Sequence, residues 1–407
     1  MLEENNTLAM YQVAQAQRIK NYINGTHNVL SRPDFQVNND TFNTAKIVLR
    51  SVDNIVDFLT GYICGNPVSI SGDESISQMV QTIYKKGFYN KTDYTITRNL
   101  IMYGNAFEYV YKDNKGIIKS KVINNTDSYA IYENGEYTKF IEKWNINPIT
   151  DDTMEREYTN TLVNEYVNGQ LKNTYNNPTG LPIHYTSGDM NRTNLYGIGV
   201  VEKLIPVMNE IEQLLSKMAD SINTLSLNPL LSISGQRMED STDANTVGQT
   251  INLDDGSTMG YITANLDYES IKLLLDNLIQ QFYTIANVPS ALFNSGNIAN
   301  VSETSLSLLF NNTSNFAKRI SYGLQEGFGK RLEYMSKLIA MDVTNTDITF
   351  NYNAPVDYKS MIEAMEIQYN CGALSKESFI RQSPYSQNVN REMKLINDNE
   401  NNNVTEM

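Results

Sequence analysis

Cysteine, histidine and tryptophan are nearly missing from this 407-residue sequence, which has two Cys, two His and one Trp. Cys64 and Cys371 stand far apart, so no disulfide framework is available, and both read as small apolar residues of a protein assembled in a reducing compartment. His27 and His184 share no metal-ligand spacing and no nucleophile pattern, which removes the usual acid-base and zinc chemistries. No stretch approaches ~18 uninterrupted apolar residues, and the opening MLEENNTLAM has neither a basic start nor an apolar run. Neither a secretory signal nor a membrane span is expected. Positive charge is also scarce, with 32 Lys and Arg against 46 Asp and Glu and a net charge of -14. A chain so acidic lacks the basic surface that drives nonspecific nucleic-acid binding through counterion release, so any DNA contact should be non-adhesive.

Motifs for catalysis fail in the same way. GIGVVE at 197–202 opens like a dinucleotide fingerprint, but Glu202 stands at the third glycine position and no βαβ unit surrounds it. GLQEGFGKR at 323–331 evokes a phosphate loop, yet the glycine spacing is wrong and Arg331 occupies the place of the magnesium-binding Ser or Thr. The pairs Asp151-Asp152 and Asp254-Asp255 read as solvated turns rather than cation sites. No catalytic residue, metal or cofactor is assigned, and the chain is not expected to be an enzyme.

What is present is periodicity. Residues 45–62 place Ile47, Val48, Val52, Ile55, Val56 and Leu59 on one helical face. From Phe107 to Tyr185 the period falls to two, and Asn134-Gly135 and Asn168-Gly169 lie between alternating segments, which predicts an antiparallel meander with tight hairpins. Val201, Leu204, Met208, Ile211, Leu215, Met218, Ile222 and Leu225 then form one helical stripe, with Pro206 in an early turn or at a kink. Ile271, Leu275, Leu278, Phe282 and Ile285 form a second. Between them Pro229, Gly235, Gly256 and Gly260 break the pattern, which predicts a small insertion with strands near 230–234 and 259–263. Val288-Pro289 closes the second helix. The loop NSGNIAN at 294–300 follows, expected to be exposed and mobile. Asn300 and Glu303 resemble a capping box for a helix of about ten turns reaching Ile339. Strand-like DVTNTDITFNYN, short helices at 357–370 and 375–382, and an Asn-rich tail without core-forming residues complete the chain.

Charge is distributed unevenly among these pieces. Residues 197–285 hold twelve acidic and four basic residues, a local charge of -8. Residues 302–340 reverse the balance, with Lys318, Arg319, Lys330, Arg331 and Lys337 against Glu303, Glu326 and Glu333.

This order of elements resembles the portal, or head-to-tail connector, proteins of tailed double-stranded-DNA bacteriophages, of the siphophage type. GYICGNPVSI at 61–70 is similar to the family's Gly-Tyr, Gly-x-Pro-Val segment. IMYGNAFEYVYKD at 101–113 is similar to its helix-to-strand YGxAxE pattern, and SYAIYENG at 128–135 to its strand and turn. The resemblance implies an α+β portal-like fold: a wing at 1–198, a stem helix at 199–225, a clip at 226–265, a second stem helix at 266–288, a tunnel loop at 289–302, further wing at 303–354, and a crown with tail at 355–407. It also implies a ring, usually of twelve subunits, at one capsid vertex of the virion, assembled in the host cytoplasm. Expected partners are DNA passing without sequence specificity, the terminase large subunit, a head-tail adaptor, and the major capsid and scaffolding proteins. Under this resemblance Asn294, Ser295, Gly296, Asn297, Ile298, Ala299 and Asn300 would face DNA. Arg237, Met238, Glu239, Asp240, Asp254 and Asp255 would meet the motor or adaptor. Glu210, Lys217, Asp220, Lys272 and Asp276 would line the channel. A coiled-coil scaffold or tail protein is the alternative, weakened because its e and g positions lack alternating charge. A packaging ATPase or nuclease is a further alternative whose motifs are absent.

Overall fold

The structure is a computed structural model that describes residues 2–37, 40–147, 152–190, 195–223, 230–235, 255–262, 267–290, 308–353, 358–383 and 391–396. The backbone packs as two units, Met1–Phe293 with Asn312–Asn353, and Asn294–Asn311 with Ala354–Met407. The larger unit is mixed α+β. It opens with α1 (Leu2–Ile23), a small hairpin of β1 (Phe35–Val37) and β2 (Asp40–Phe42), α2 (Ser51–Cys64), β3 (Ser69–Gly72), α3 (Glu74–Gly87) and α4 (Tyr89–Tyr103). Helix α2 buries Val52, Ile55, Val56, Leu59 and Ile63, the three-and-four spacing expected for its core-facing stripe.

Two antiparallel sheets replace the single meander predicted from the alternating segments. β4 (Asn105–Lys112) is central between β5 (Ile118–Ile123) and β11 (Ile183–Thr186). A separate five-stranded meander runs β6 (Ser128–Glu133), β7 (Glu136–Asn147), β8 (Asp152–Tyr158), β9 (Leu162–Val167) and β10 (Gln170–Asn176). One core joins them: Phe107 and Ile123 from the first sheet pack with Ala130, Phe140, Tyr158 and Val163 from the second. Both Asn-Gly pairs turn as predicted. Asn134 and Gly135 have φ of 54° and 85°, and Asn168 and Gly169 have 50° and 78°, the paired positive angles a two-residue hairpin requires. The DTMEREY segment of β8 escapes periodicity because three consecutive charged residues, Glu155, Arg156 and Glu157, separate Met154 from Tyr158 and leave no alternating apolar row.

The helical half follows the sequence closely. α5 (Val200–Ser221) and α6 (Tyr268–Ala286) pack together and flank an antiparallel pair, β12 (Leu230–Ser234) and β13 (Thr258–Ile262), in register from Leu230 opposite Ile262 to Ser234 opposite Thr258. Pro206 sits inside α5, so the Glu202 carbonyl loses its ladder donor. α7 (Asn311–Ile339) runs 29 residues and buries Phe316, Ala317, Ile320, Leu324, Phe328, Leu332 and Met335. The capping box at Asn300 and Glu303 lies outside the described residues. β14 (Thr346–Thr349) pairs antiparallel with β3. In the smaller unit, α8 (Tyr358–Asn370) and α9 (Lys376–Gln382) meet through the rings of Tyr369 and Phe379, 5.4 Å apart. Among the described residues, no helix is long and apolar enough to cross a membrane.

The two glycine motifs have structural explanations. A Cβ at Gly323 would lie 2.0 Å from the Thr186 carbonyl oxygen, and one at Gly327 would lie 2.0 Å from the Tyr185 ring. These glycines, one turn apart on α7, let β11 approach the helix backbone directly. In GIGVVE, a Cβ at Gly199 would fall 2.0 Å from the Met102 carbonyl oxygen, so this segment seats itself against the end of α4.

Candidate functional site

The predicted positions fall in different settings. Residues 294–300, Arg237, Met238, Glu239, Asp240 and Asp254 lie outside the described residues. Asp255 is exposed in the turn before β13. Glu210 and Lys217 are exposed on α5, and Lys272 and Asp276 are exposed on α6. Asp220 is different, because its carboxylate is already engaged within the chain.

That engagement belongs to a ladder. Residues 45–50, predicted as the first turns of α2, are not helical. Their alternate N–H groups donate to three side chains spaced one turn apart on α5: Ala45 to Asp220 at 2.6 Å, Ile47 to Ser216 at 2.9 Å, and Leu49 to Glu212 at 2.8 Å. An i, i+4, i+8 row of acceptors thus serves as a partner strand, satisfying backbone donors that a helix would have used internally. Arg32 donates to Asp220 at 2.7 Å, and His27 meets Glu212 at 2.8 Å, closing both ends of the row. Two of the twelve acidic residues between 197 and 285 are therefore committed to internal partners, and Asp267 caps α6 by accepting from the Ser270 N–H. The acidity is real, but less of it is free than the composition implies.

His27 is buried and His184 is partly buried. His27 stacks on Tyr22 with ring centroids 4.0 Å apart. His184 lies between the Tyr132 hydroxyl at 2.6 Å and Asn105 Oδ1 at 3.0 Å. Asn105 Oδ1 can only accept, so Nε2 carries the proton and Nδ1 accepts from Tyr132. Burial pushes the His184 pKa down to about 3, which keeps the ring neutral in this role. Cys64 is partly buried with its thiol 3.0 Å from the Thr97 hydroxyl, and burial pushes its pKa up to about 12. Cys371 is exposed, contrary to its reading as a buried apolar residue.

The most heavily engaged charge is one that sequence motifs assign no role. Arg331, on α7, is fully buried. Its Nε donates to both oxygens of Glu108 on β4, at 2.9 and 3.0 Å, and its Nη1 donates to Asp93 on α4 at 2.6 Å and to the Tyr84 hydroxyl at 3.0 Å. The guanidinium lies 4.2 Å from the Phe328 ring centroid, and the Tyr185 hydroxyl donates to Glu108. This cluster fastens α7 to α3, α4, β4 and β11. Its signal was legible: Arg331 interrupts the apolar stripe between Phe328 and Met335, and Glu108 belongs to the YGNAFE motif. A buried pair of this kind holds a single arrangement because removing one partner strands the other.

Nothing in these clusters assembles a nucleophile with a base or a set of metal ligands. Among the described residues, no group of acidic, His or Cys side chains could hold a metal ion. The geometry is that of a framework: sheets and α7 locked together, with the paired helices α5 and α6 carrying the β12–β13 insertion.

This architecture is shared with neck structures of phage-like particles. The neck of an empty GTA particle computed with C6 symmetry superposes with a TM-score of 0.51 at 9% identity, covering 84% of this chain and 89% of that one. The neck of a native GTA particle computed with C12 symmetry gives 0.50 at 11% identity, covering 82% and 89%. No curated protein matches this sequence. Over residues 10–406 the sequence matches the phage portal protein family, SPP1 Gp6-like, and the chain belongs to that family. The family is structural and not catalytic.

Proposed function

We propose that this chain is the subunit of a ring at one vertex of a phage capsid, through which double-stranded DNA enters during packaging and leaves during ejection. The carrying observation is the family match across nearly the whole chain. A twelve-subunit ring is adopted from the resemblance to the portal family; of the two similar necks, one was computed with C12 and one with C6 symmetry. In this reading α5 and α6 are the stem, 226–265 the clip that meets the terminase large subunit and later a head-tail adaptor, 289–302 the tunnel loop, and 355–407 the crown. The remaining body is the wing, with the capsid and scaffolding proteins around it. Assembly takes place in the host cytoplasm, and the finished protein resides in the virion.

The surface of the stem supports association. Tyr268, Leu273 and Leu274 of α6 are 62%, 64% and 50% exposed, and Ile222 at the end of α5 is 42% exposed. One chain cannot cover these apolar groups, whereas a head-to-tail ring covers them repeatedly. Exposed Glu210 and Asp276 would present like charge to DNA phosphates, so the polymer slides instead of adhering. Class averages of the purified protein by electron microscopy should show closed rings with a central hole; rods or fibres would refute the assignment. Replacing 294–300 with a shorter loop should leave those rings intact and impair packaging or retention of DNA, and unchanged packaging would remove the loop from the mechanism.

A further inference from the structure

Within a chain of net charge -14, residues 85–121 hold eight basic residues and three acidic ones, a local balance of +5. Two of those acids, Asp93 and Glu108, are buried against Arg331, and the third, Asp113, pairs with Lys119. Lys85, Lys86, Lys91, Lys112 and Lys115 are all exposed. Among the described residues none of these five makes an ion pair.

The five come together in space. Gly87 ends α3 so close to the β4–β5 hairpin that a Cβ there would lie 2.6 Å from the Ile118 carbonyl oxygen. Ile118 is the register partner of Lys112, and Tyr89, which begins α4, receives a hydrogen bond from the Ser120 hydroxyl at 3.1 Å. The C-terminal turn of α3, the first turn of α4 and the hairpin tip therefore form one corner, and these three pieces carry all five lysines.

At the centre of this corner stands Phe88. It is 71% exposed and adopts φ 58°, ψ 39°, the left-handed conformation that helix ends normally give to glycine. Gly87 cannot serve there, because its missing side chain is needed for contact with Ile118 and Tyr89. A bulky aromatic residue thus occupies a strained position and projects its ring into solvent, a combination that neither stability nor solubility favours. Tyr94, farther along α4, is 38% exposed.

We propose that this corner docks an acidic protein partner, which receives the Phe88 ring in an apolar pocket and meets the surrounding lysines with carboxylates. The backbone of a DNA duplex needs only the charge; an exposed aromatic ringed by cations is the form of a protein-interface anchor with a polar rim. The inference is independent of the ring assignment.

The test uses the full-length chain with labelled polyglutamate, a labelled random copolymer of Glu and Tyr, and a labelled DNA duplex of similar charge, at about 50 mM salt. The copolymer should bind about tenfold tighter than polyglutamate. Phe88→Gly should abolish that difference, and the double change Lys86→Glu with Lys115→Glu should weaken both polymers about tenfold or more. Phe88→Gly should also melt at a higher temperature than the parent, since glycine relieves the left-handed strain. A lower melting temperature would make Phe88 a structural residue and overturn the proposal. So would absence of copolymer binding, tighter binding of DNA that ignores Phe88→Gly, or loss of self-association in either variant, which would assign the corner to contact between copies.

Discussion

Arg331 faces two buried carboxylates with one positive charge, and that imbalance governs how the larger unit responds to pH. Burial raises the Asp93 pKa to about 6, with Arg331 pulling it back and Glu108 adding to the rise. A carboxyl that holds its proton more tightly in the folded than in the unfolded state, where the usual value is near 3.8, favours folding below that value. This contribution is lost as pH climbs through about 6. Relative to Asp93→Asn, the parent should therefore lose roughly 2 kcal/mol of stability between pH 4 and pH 7. Denaturant titrations at both pH values measure it, followed by the fluorescence of Trp144, the sole tryptophan, which lies between Lys121 and Arg156. A constant difference between the two proteins would place the titration elsewhere. Arg331→Met should cost about 3–5 kcal/mol at neutral pH, because the buried carboxyl groups of Asp93 and Glu108 would lose both their counter-charge and their hydrogen-bond donors. Combining it with Asp93→Asn and Glu108→Gln should recover much of that loss; failure to recover would show that packing of the guanidinium against Phe328, and not its charge, is what matters.

Elements in this protein are placed by backbone proximity as much as by side-chain interdigitation, and α7 shows this best. Its three glycines in GLQEGFGKR differ in surroundings: Gly323 abuts the backbone of Thr186, Gly327 abuts the ring of Tyr185, and a Cβ added at Gly329 would meet nothing within 4 Å. Gly323→Ala should therefore destabilise by about 3 kcal/mol or more, because a strand backbone cannot rotate aside as a side chain can. Gly329→Ala should instead stabilise by up to about 1 kcal/mol through helix propensity alone. Melting temperatures of the two variants should move in opposite directions, and movement in the same direction would contradict the contact geometry. The same reliance on the backbone sets what could be read from the sequence. Stripes such as Val201 to Ile211 and Phe316 to Met335 depend on local period, and both hairpin turns depend on local φ, so all were legible. Residues 45–50 carry a helical pattern yet stay out of the helix because the hydrogen-bond partners of Ala45, Ile47 and Leu49, which are Asp220, Ser216 and Glu212, lie more than 160 residues away in sequence. The division of strands into two sheets was hidden for a similar reason. β11 returns to β4 across the entire meander, and no periodicity in either segment records that pairing.

At the scale of the whole molecule, α5 and α6 are elements whose surfaces a single chain leaves unfinished. Toward the β12–β13 insertion the buried stripe of α5 gives way to half-exposed Leu215 and Met218, and α6 buries only Phe282 and Ala286 at its far end. Leu273 and Leu274 are adjacent on α6, so their side chains diverge by about 100° around the helix, and one partner helix cannot cover both. In a head-to-tail ring each copy has two neighbours, which gives each leucine its own contact. Leu273→Glu combined with Leu274→Glu should therefore shift the assembly from ring to monomer in sedimentation velocity. Far-ultraviolet circular dichroism and the Trp144 signal should remain unchanged, since neither leucine supports the fold of its own chain. Burying a glutamate at each of many repeated interfaces is costly at every one of them, so the loss of rings should be complete instead of graded. Rings that persist in this variant would place the contact between copies on another surface and leave the exposed face of α6 for a different partner.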